Sequence, residues 1–240
     1  VIIIFKRYSN FYFLHLFKIK IIQDSEFKFK GYKKNYDKGY LLFNGYFQNY
    51  QLVKKNFSKL IEYIQPYLLK KVDRKFQNLY DKILAEKNSV ALCIRLYEEV
   101  RNPNDLPTSN KSEKEFFRKN NLSNSKIIIR KYNKVIKEIE KKVKNPHFFI
   151  FVQKNNKVIE NLKFNSKSTL ITIENGYSGD WENIRAISYC KHHIFNNSTF
   201  YFWGTVFSLN SEIYKNAEQL IYASSNFIFK EIYAPNWIIF

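Results

Sequence analysis

The sequence predicts an α/β protein built around a parallel sheet, and three observations carry that prediction. Short apolar runs of strand length recur at Ser89 to Leu96, His147 to Val152, Thr169 to Ile173 and His192 to Asn196. Segments with helical periodicity separate them, so strand and helix alternate from 89 to 209, the order that crossover connections produce. The run at 89–96 is apolar nearly throughout, as a strand covered on both faces is. With 240 residues, 45% of them hydrophobic and 18% aromatic, the chain can bury a sizeable core.

The elements follow in order. Residues 1–47 carry short alternating bursts (Tyr12, Leu14, Leu16; Phe27, Phe29; Leu41 to Phe47), which suggest strands or irregular edge structure. Leu52, Val53, Phe57, Leu60, Ile61 and Ile64 are spaced for an amphipathic helix that should stop near Pro66. Val72, Phe76, Leu79, Tyr80, Ile83 and Leu84 repeat that spacing. After the strand at 89–96, residues 102–124 are polar, contain Pro103 and Pro107, and read as a long surface loop. Tyr132, Val135, Ile136, Ile139 and Val143 mark a Lys/Glu-rich helix before the strand at 147. Trp181 to Cys190 and Phe200 to Leu209 are the remaining helical segments. No internal repeat is visible. A domain boundary is expected near residue 86, dividing 1–86 from 87–240, with the last residues packing back on the first lobe.

The formal net charge of +19 invites a nucleic-acid reading. The basic residues are scattered among Asn, Ile, Tyr and Phe with no nucleic-acid motif, so no nucleic-acid partner is expected. A positive surface favours anionic membranes and nucleotide diphosphates. Cys93 and Cys190 lie in apolar segments, which suits buried reduced thiols in a cytoplasmic protein. No apolar run reaches the roughly 20 residues that span a bilayer. Val1 to Ile22 is broken by Lys6, Arg7, Lys18 and Lys20 and is neither a spanning helix nor a secretory signal. The chain begins at Val and has no Met, so a fragment lacking its true N-terminus is expected.

Three segments carry candidate chemistry. Asn197, Ser198 and Thr199 stand where a strand gives way to a helix, so backbone N–H groups and the helix dipole converge on one spot. Such a spot attracts phosphate, and the same residues also read as an ordinary N-cap. Arg95 closes the strand at 89–96, where ligands of open α/β sheets bind, and its guanidinium offers paired donors to phosphate. A pairing of Arg95 with Glu98 or Glu99 is the alternative. Asp180 precedes the helix at Trp181 and could accept hydrogen bonds from a guanine edge or cap that helix. His192 and His193 beside Cys190 lack a second Cys/His pair at ligand spacing, so no metal site is expected and His192 should pack and hydrogen-bond inside its strand. Asn197-Ser198-Thr199 is also a glycosylation sequon, but its expected burial argues against modification.

The stretch from Ser188 to Gly204 resembles the hallmark of the alpha-1,2-fucosyltransferases, glycosyltransferase family eleven. That hallmark reads roughly Met-Ser-x-Cys-Lys-His-x-Ile-Ile-Ala-Asn-Ser-Ser/Thr-Phe-Ser-Trp-Trp-Gly. Ser188, Cys190, Lys191, His192, Ile194, Asn197, Ser198, Thr199, Phe200, Trp203 and Gly204 match it in register, with Phe202-Trp203 in place of the Trp pair. Gly45-Tyr46-Phe47-Gln48 and Ala234-Pro235-Asn236-Trp237 look like two further landmarks in the family's order. The likeness covers the chain from about residue 40 to its end.

The resemblance implies a two-lobed GT-B-like fold with two Rossmann-like lobes, the N-terminal, acceptor-side one incomplete and 87–240 binding the nucleotide sugar. It implies inverting transfer of fucose from GDP-fucose to the 2-hydroxyl of a galactose-terminated surface glycan, such as lipopolysaccharide or capsule. No metal or other cofactor is expected. Arg95 would contact the donor diphosphate, with Asp180, Asn197, Ser198 and Thr199 completing a donor-binding set; no general base is assignable. The family's His-x-Arg-Arg-x-Asp becomes Cys93, Ile94, Arg95, Leu96, Tyr97 and Glu98, so only the first Arg survives. Its opening Gly-Gly-Leu-Gly-Asn-Gln loop has no counterpart here. The expected location is cytoplasmic, peripheral at the inner face of the cytoplasmic membrane. The rival readings are a non-catalytic nucleotide- or glycan-binding protein, a nucleic-acid binder, and a transferase using another nucleotide sugar.

Overall fold

The structure, a computed structural model, describes residues 19–23, 40–44, 50–96, 125–227 and 230–240. Two parallel strands, β1 (Ile19–Gln23) and β2 (Tyr40–Asn44), pair with each other in a small sheet. The helices α1 (Tyr50–Leu68) and α2 (Arg74–Ala85) follow. The main sheet then begins with β3 (Ser89–Cys93), and after α3 (Ser125–Lys142) come β4 (His147–Phe151), the short α4 (Lys157–Glu160) and β5 (Lys167–Ile171). The second half is α5 (Asp180–Ser188), β6 (His192–Phe195), α6 (Thr199–Leu209), β7 (Ile221–Ala223), a 3-10 turn (Lys230–Ile232) and β8 (Ile238–Ile239).

The six strands of the main sheet are all parallel and lie in the order β5-β4-β3-β6-β7-β8. The first strand is central, the next two step away on one side, and the last three on the other. That is the doubly wound Rossmann order, with its reversal between β3 and β6. The expected α/β parallel fold is therefore the observed one.

Strand side chains point alternately to opposite faces, and the two cores follow that alternation. Ala91, Cys93, Phe149, Phe151 and Phe195 face a core completed by α1, α2, α5 and α6. Val90, Leu92, Ile94, Phe148, Ile150 and Ile194 face a second core completed by α3 and α4. All five residues of β3 and all five of β4 are buried, because helices cover both sides. The C-terminal residues complete the first core: Trp237 lies 5.5 Å from the rings of both Tyr50 and Phe195.

Helices α5 and α6 cross where Gly204 meets Ile187. A Cβ on Gly204 would stand 2.5 Å from Ile187 Cγ2, so only the absent side chain allows this approach. The α5 segment is also tied to its neighbours by polar groups. The Arg185 guanidinium lies over the Tyr80 ring and donates to the Lys70 carbonyl, and the Tyr80 hydroxyl donates to the Glu182 carbonyl.

Several boundaries differ from the sequence reading. Helix α1 continues through Pro66 to Leu68, with Leu69 N–H donating to the Gln65 carbonyl. Near a C-terminus the proline removes one intrahelical bond without ending the helix. Strand β5 begins two residues before Thr169, and α5 ends at Ser188 rather than Cys190. The cap of α5 is Gly179, so Asp180 occupies the first helical position and is not the cap. Strands β7 and β8 and helix α4 were not expected. The bursts at Tyr12 to Leu16 and at Phe27 and Phe29, the loop at 102–124, and Gly45 to Gln48 lie outside the described residues.

Candidate functional site

The carboxyl ends of β3, β4 and β5 open into a cleft of about 200 Å³, closed on one side by the start of α5 and on another by the first turn of α6. Phe151, Ile171, Ile173 and Phe200 supply apolar walls. Arg95, Gln153, Ser178, Asp180 and Asn183 supply the polar groups. Parallel sheets bind ligands at this end because the connecting loops and helix N-termini gather there.

Arg95 and Asp180, two of the residues singled out in the sequence, come together in this cleft. Among the described residues the Arg95 guanidinium has no ion-pair or hydrogen-bond partner, while its backbone is held firmly. Its N–H donates to Asn196 Oδ1 at 2.8 Å, and Asn196 Nδ2 donates to its carbonyl at 2.7 Å. Glu98 and Glu99, the alternative partners, lie outside the described residues. A half-buried guanidinium at a sheet's carboxyl end, with no partner among the described residues, suits an anion ligand.

Asp180 lies in the first turn of α5, where a carboxylate also favours the helix dipole. One turn on, Asn183 donates through Nδ2 to the carbonyls of Tyr177 (2.9 Å) and Gly179 (2.7 Å). Its Oδ1 is left buried with no partner. Asp180 thus places a carboxylate acceptor on one edge of the cleft, which suits a ligand edge with N–H donors, while the Asn183 Oδ1 lies buried behind it. Sequence reading missed Asn183; its spacing of three from Asp180 on a helix was the available signal.

Asn197, Ser198 and Thr199 follow the end of β6 and open α6, but the lining of the cleft begins one residue later, at Phe200 and Tyr201. Ser198 is the N-cap residue, yet its side chain makes no cap hydrogen bond. The ordinary-cap reading therefore does not describe how Ser198 is used. Tyr201 reaches back from the same turn, its hydroxyl 3.2 Å from the carbonyls of both Ile94 and Phe151. That contact fixes α6 over the ends of β3 and β4.

Two departures from the family pattern are absorbed by packing. Cys93 is buried in the first core, and burial pushes its thiol well above the usual range. Leu96 is buried in the second core, where a charge would be costly. Both cysteines are free. His192 Nδ1 accepts the Leu220 N–H at 3.0 Å, and burial lowers its pKa to about 4. His193 is fully buried, and burial takes it to about 3. Both imidazoles are thus neutral near pH 7, and neither lines the cleft. Among the described residues no group of three or more His, Cys, Asp or Glu is placed to hold a metal ion, and no helix is long and apolar enough to cross a membrane.

Comparison with known proteins completes the assignment. Searches of curated proteins and of solved structures give no match. The model of glycosyl transferase family 11 matches residues 18–240, which takes in both small strands, the whole main sheet and the cleft. Parallel Rossmann-like topology, an anion-ready Arg at the sheet's carboxyl end and a match over nearly the full chain agree, and the chain belongs to glycosyl transferase family 11.

Proposed function

We propose that this glycosyltransferase moves fucose from GDP-fucose to the 2-hydroxyl of a galactoside in a surface glycan, inverting the anomeric carbon. The observation that supports this most is that one cleft brings together the Asp180 carboxylate and the Arg95 guanidinium, which has no partner among the described residues. A nucleoside diphosphate presents the complementary groups: anionic phosphates at one end and, for guanine, adjacent N–H donors on the base edge.

In the transfer, an acceptor hydroxyl oxygen forms the new bond to the anomeric carbon as the bond to the diphosphate breaks. The electron pair leaves with GDP, and the hydroxyl proton passes to a base or to solvent. Charge develops on the departing diphosphate, so fixed donors aimed there lower the barrier. Arg95 supplies one such donor. The first turn of α6, opened by Asn197, Ser198 and Thr199, supplies backbone N–H groups and the positive end of its dipole. With that charge neutralised by protein groups, the reaction needs no metal. The 40 Lys and Arg residues against 21 Asp and Glu favour peripheral attachment to an anionic surface, in keeping with work at the inner face of the cytoplasmic membrane.

The burial of Leu96 where the family carries a second Arg favours a second reading, a protein that binds nucleotide without transferring sugar. Calorimetric titration with GDP, ADP and UDP tests the donor assignment. GDP-selective binding that is lost in Arg95→Ala is the expected result. Equal affinity for the three nucleotides would rule out guanine selection, and salt-steep binding to any oligonucleotide would favour a nucleic-acid partner instead.

A further inference from the structure

Asn196 sits at the point where the sheet order reverses, between the ends of β3 and β6. The last ladder pair joining these strands is Cys93 with Phe195. Beyond it the two chains part, because α6 lies against one face of the sheet and α3 against the other. A backbone N–H and carbonyl at the end of β3 would lose their ladder partners there, and burying them unpaired is costly. The Asn196 side chain replaces the missing strand. It is 4% exposed, and its amide gives Arg95 both an acceptor (2.8 Å) and a donor (2.7 Å). The residue before Arg95 is fixed as well: Ile94 N–H donates to the Phe151 carbonyl at 3.2 Å, and the Ile94 carbonyl accepts from Tyr201. The backbone that carries Arg95 is therefore held on both sides, while its guanidinium lines the cleft with no partner among the described residues.

We infer that Asn196 is a positioning residue for anion binding, acting through Arg95 by clasping that residue's backbone so that its guanidinium is already placed when a phosphate arrives. The inference rests on the reading of Arg95 as a diphosphate ligand. Holding the backbone beforehand removes an ordering cost from the binding step. The hallmark that this segment resembles has Ala at position 196, so the clasp belongs to this sequence rather than to that pattern. It also marks Ala as a residue that the strand end accommodates.

A double-mutant cycle on the full chain tests the inference, with GDP affinity by calorimetry and melting temperature measured on every variant. Asn196→Ala should weaken GDP binding about tenfold when Arg95 is present, and less than about twofold in the Arg95→Ala background, because coupled residues are not additive. Asn196→Asp keeps the acceptor for the Arg95 N–H and loses the donor to its carbonyl, so it should fall between wild type and Asn196→Ala. It also supplies the reading if the alanine variant folds poorly. An equal loss in both backgrounds would overturn the inference, since Asn196 would then act independently of Arg95. So would a lower melting temperature with unchanged affinity, which would make the amide a fold support only. If Arg95→Ala alone leaves GDP binding intact, the diphosphate reading of Arg95 fails and this inference falls with it. A large Arg95→Ala effect with additive Asn196→Ala would sink only the inference.

Discussion

Replacing Gly204 by Ala should separate the two helices that frame the cleft. A Cβ at this position would lie 2.5 Å from Ile187 Cγ2 and 2.8 Å from Ile187 Cβ. Carbon atoms in contact prefer about 3.5–4.0 Å, so α5 and α6 must move apart by roughly 1 Å or Ile187 must leave its place. Ile187 is fully buried and has little room to turn. Overpacking costs about 1–3 kcal/mol, and a contact as short as this belongs in the upper part of that range, about 2–3 kcal/mol. Of this the helix gains back about 1 kcal/mol because Ala is a better helix former than Gly. A net loss of about 1–2 kcal/mol is expected, or about 3–6 °C in melting temperature for a chain of this length. Since α5 carries Asp180 and Asn183 while α6 carries Phe200 and Tyr201, GDP affinity should fall too. Urea denaturation of Gly204→Ala, alone and combined with Ile187→Ala, reads the stability effect. In the Ile187→Ala background the 2.5 Å contact with Cγ2 is gone while the 2.8 Å contact with Cβ stays, so Gly204→Ala should cost less than in wild type and still destabilise. A variant as stable as wild type, with GDP binding unchanged, would refute the close-crossing argument.

Three further outcomes follow from the same geometry. Ser198→Ala with Thr199→Ala should weaken GDP binding by about 1–3 kcal/mol through lost hydrogen bonds to a charged ligand. Stability should barely change through Ser198, whose side chain makes no cap bond; unchanged affinity would remove this segment from the donor site. His193 titrates near 3 in the fold against an ordinary 6.5, so the unfolded chain binds the extra proton between those values and stability falls as pH drops below 6.5. At a pH of about 5 the penalty is about 2 kcal/mol, and His193→Leu should remove it, so a wild-type melting temperature that is flat between about pH 7 and 5 would contradict this burial. Glu86 is held below its ordinary 4.5 chiefly by its hydrogen bond to His147, so its contribution is present above that value and lost as pH falls through the lowered one. Glu86→Gln should flatten that acid limb of the melting curve, and an unchanged limb would assign it to other carboxylates.

The strands were legible because burial on two faces writes itself as continuous apolar runs. Val90 to Leu96 and His147 to Val152 could hardly be anything else in a chain that alternates them with helical spacing. Ile221–Ala223 and Ile238–Ile239 are too short to show a period, and their identity as strands comes from the neighbour that each one pairs with. Pro66 misled because a proline stop is a rule about helix interiors, and this one lies in the last turn. Within the site, Arg95 and Asp180 were visible as charged residues at the edges of apolar elements. Asn196 was not, since one of two adjacent asparagines carries no local mark of a partner 101 positions away. Asn183 stayed hidden for a related reason: only the folded helix start shows that its amide N–H groups are engaged and its Oδ1 is buried without a partner.

The most direct test of the proposed transfer is incubation of the protein with GDP-fucose and a β-galactoside in the presence of EDTA, with the product linkage read by NMR. The account predicts release of GDP together with fucose joined to the galactose 2-hydroxyl in inverted anomeric configuration, and near-complete loss of both in Arg95→Ala. GDP-fucose that is bound but not consumed, or product that forms equally well in Arg95→Ala, would contradict it.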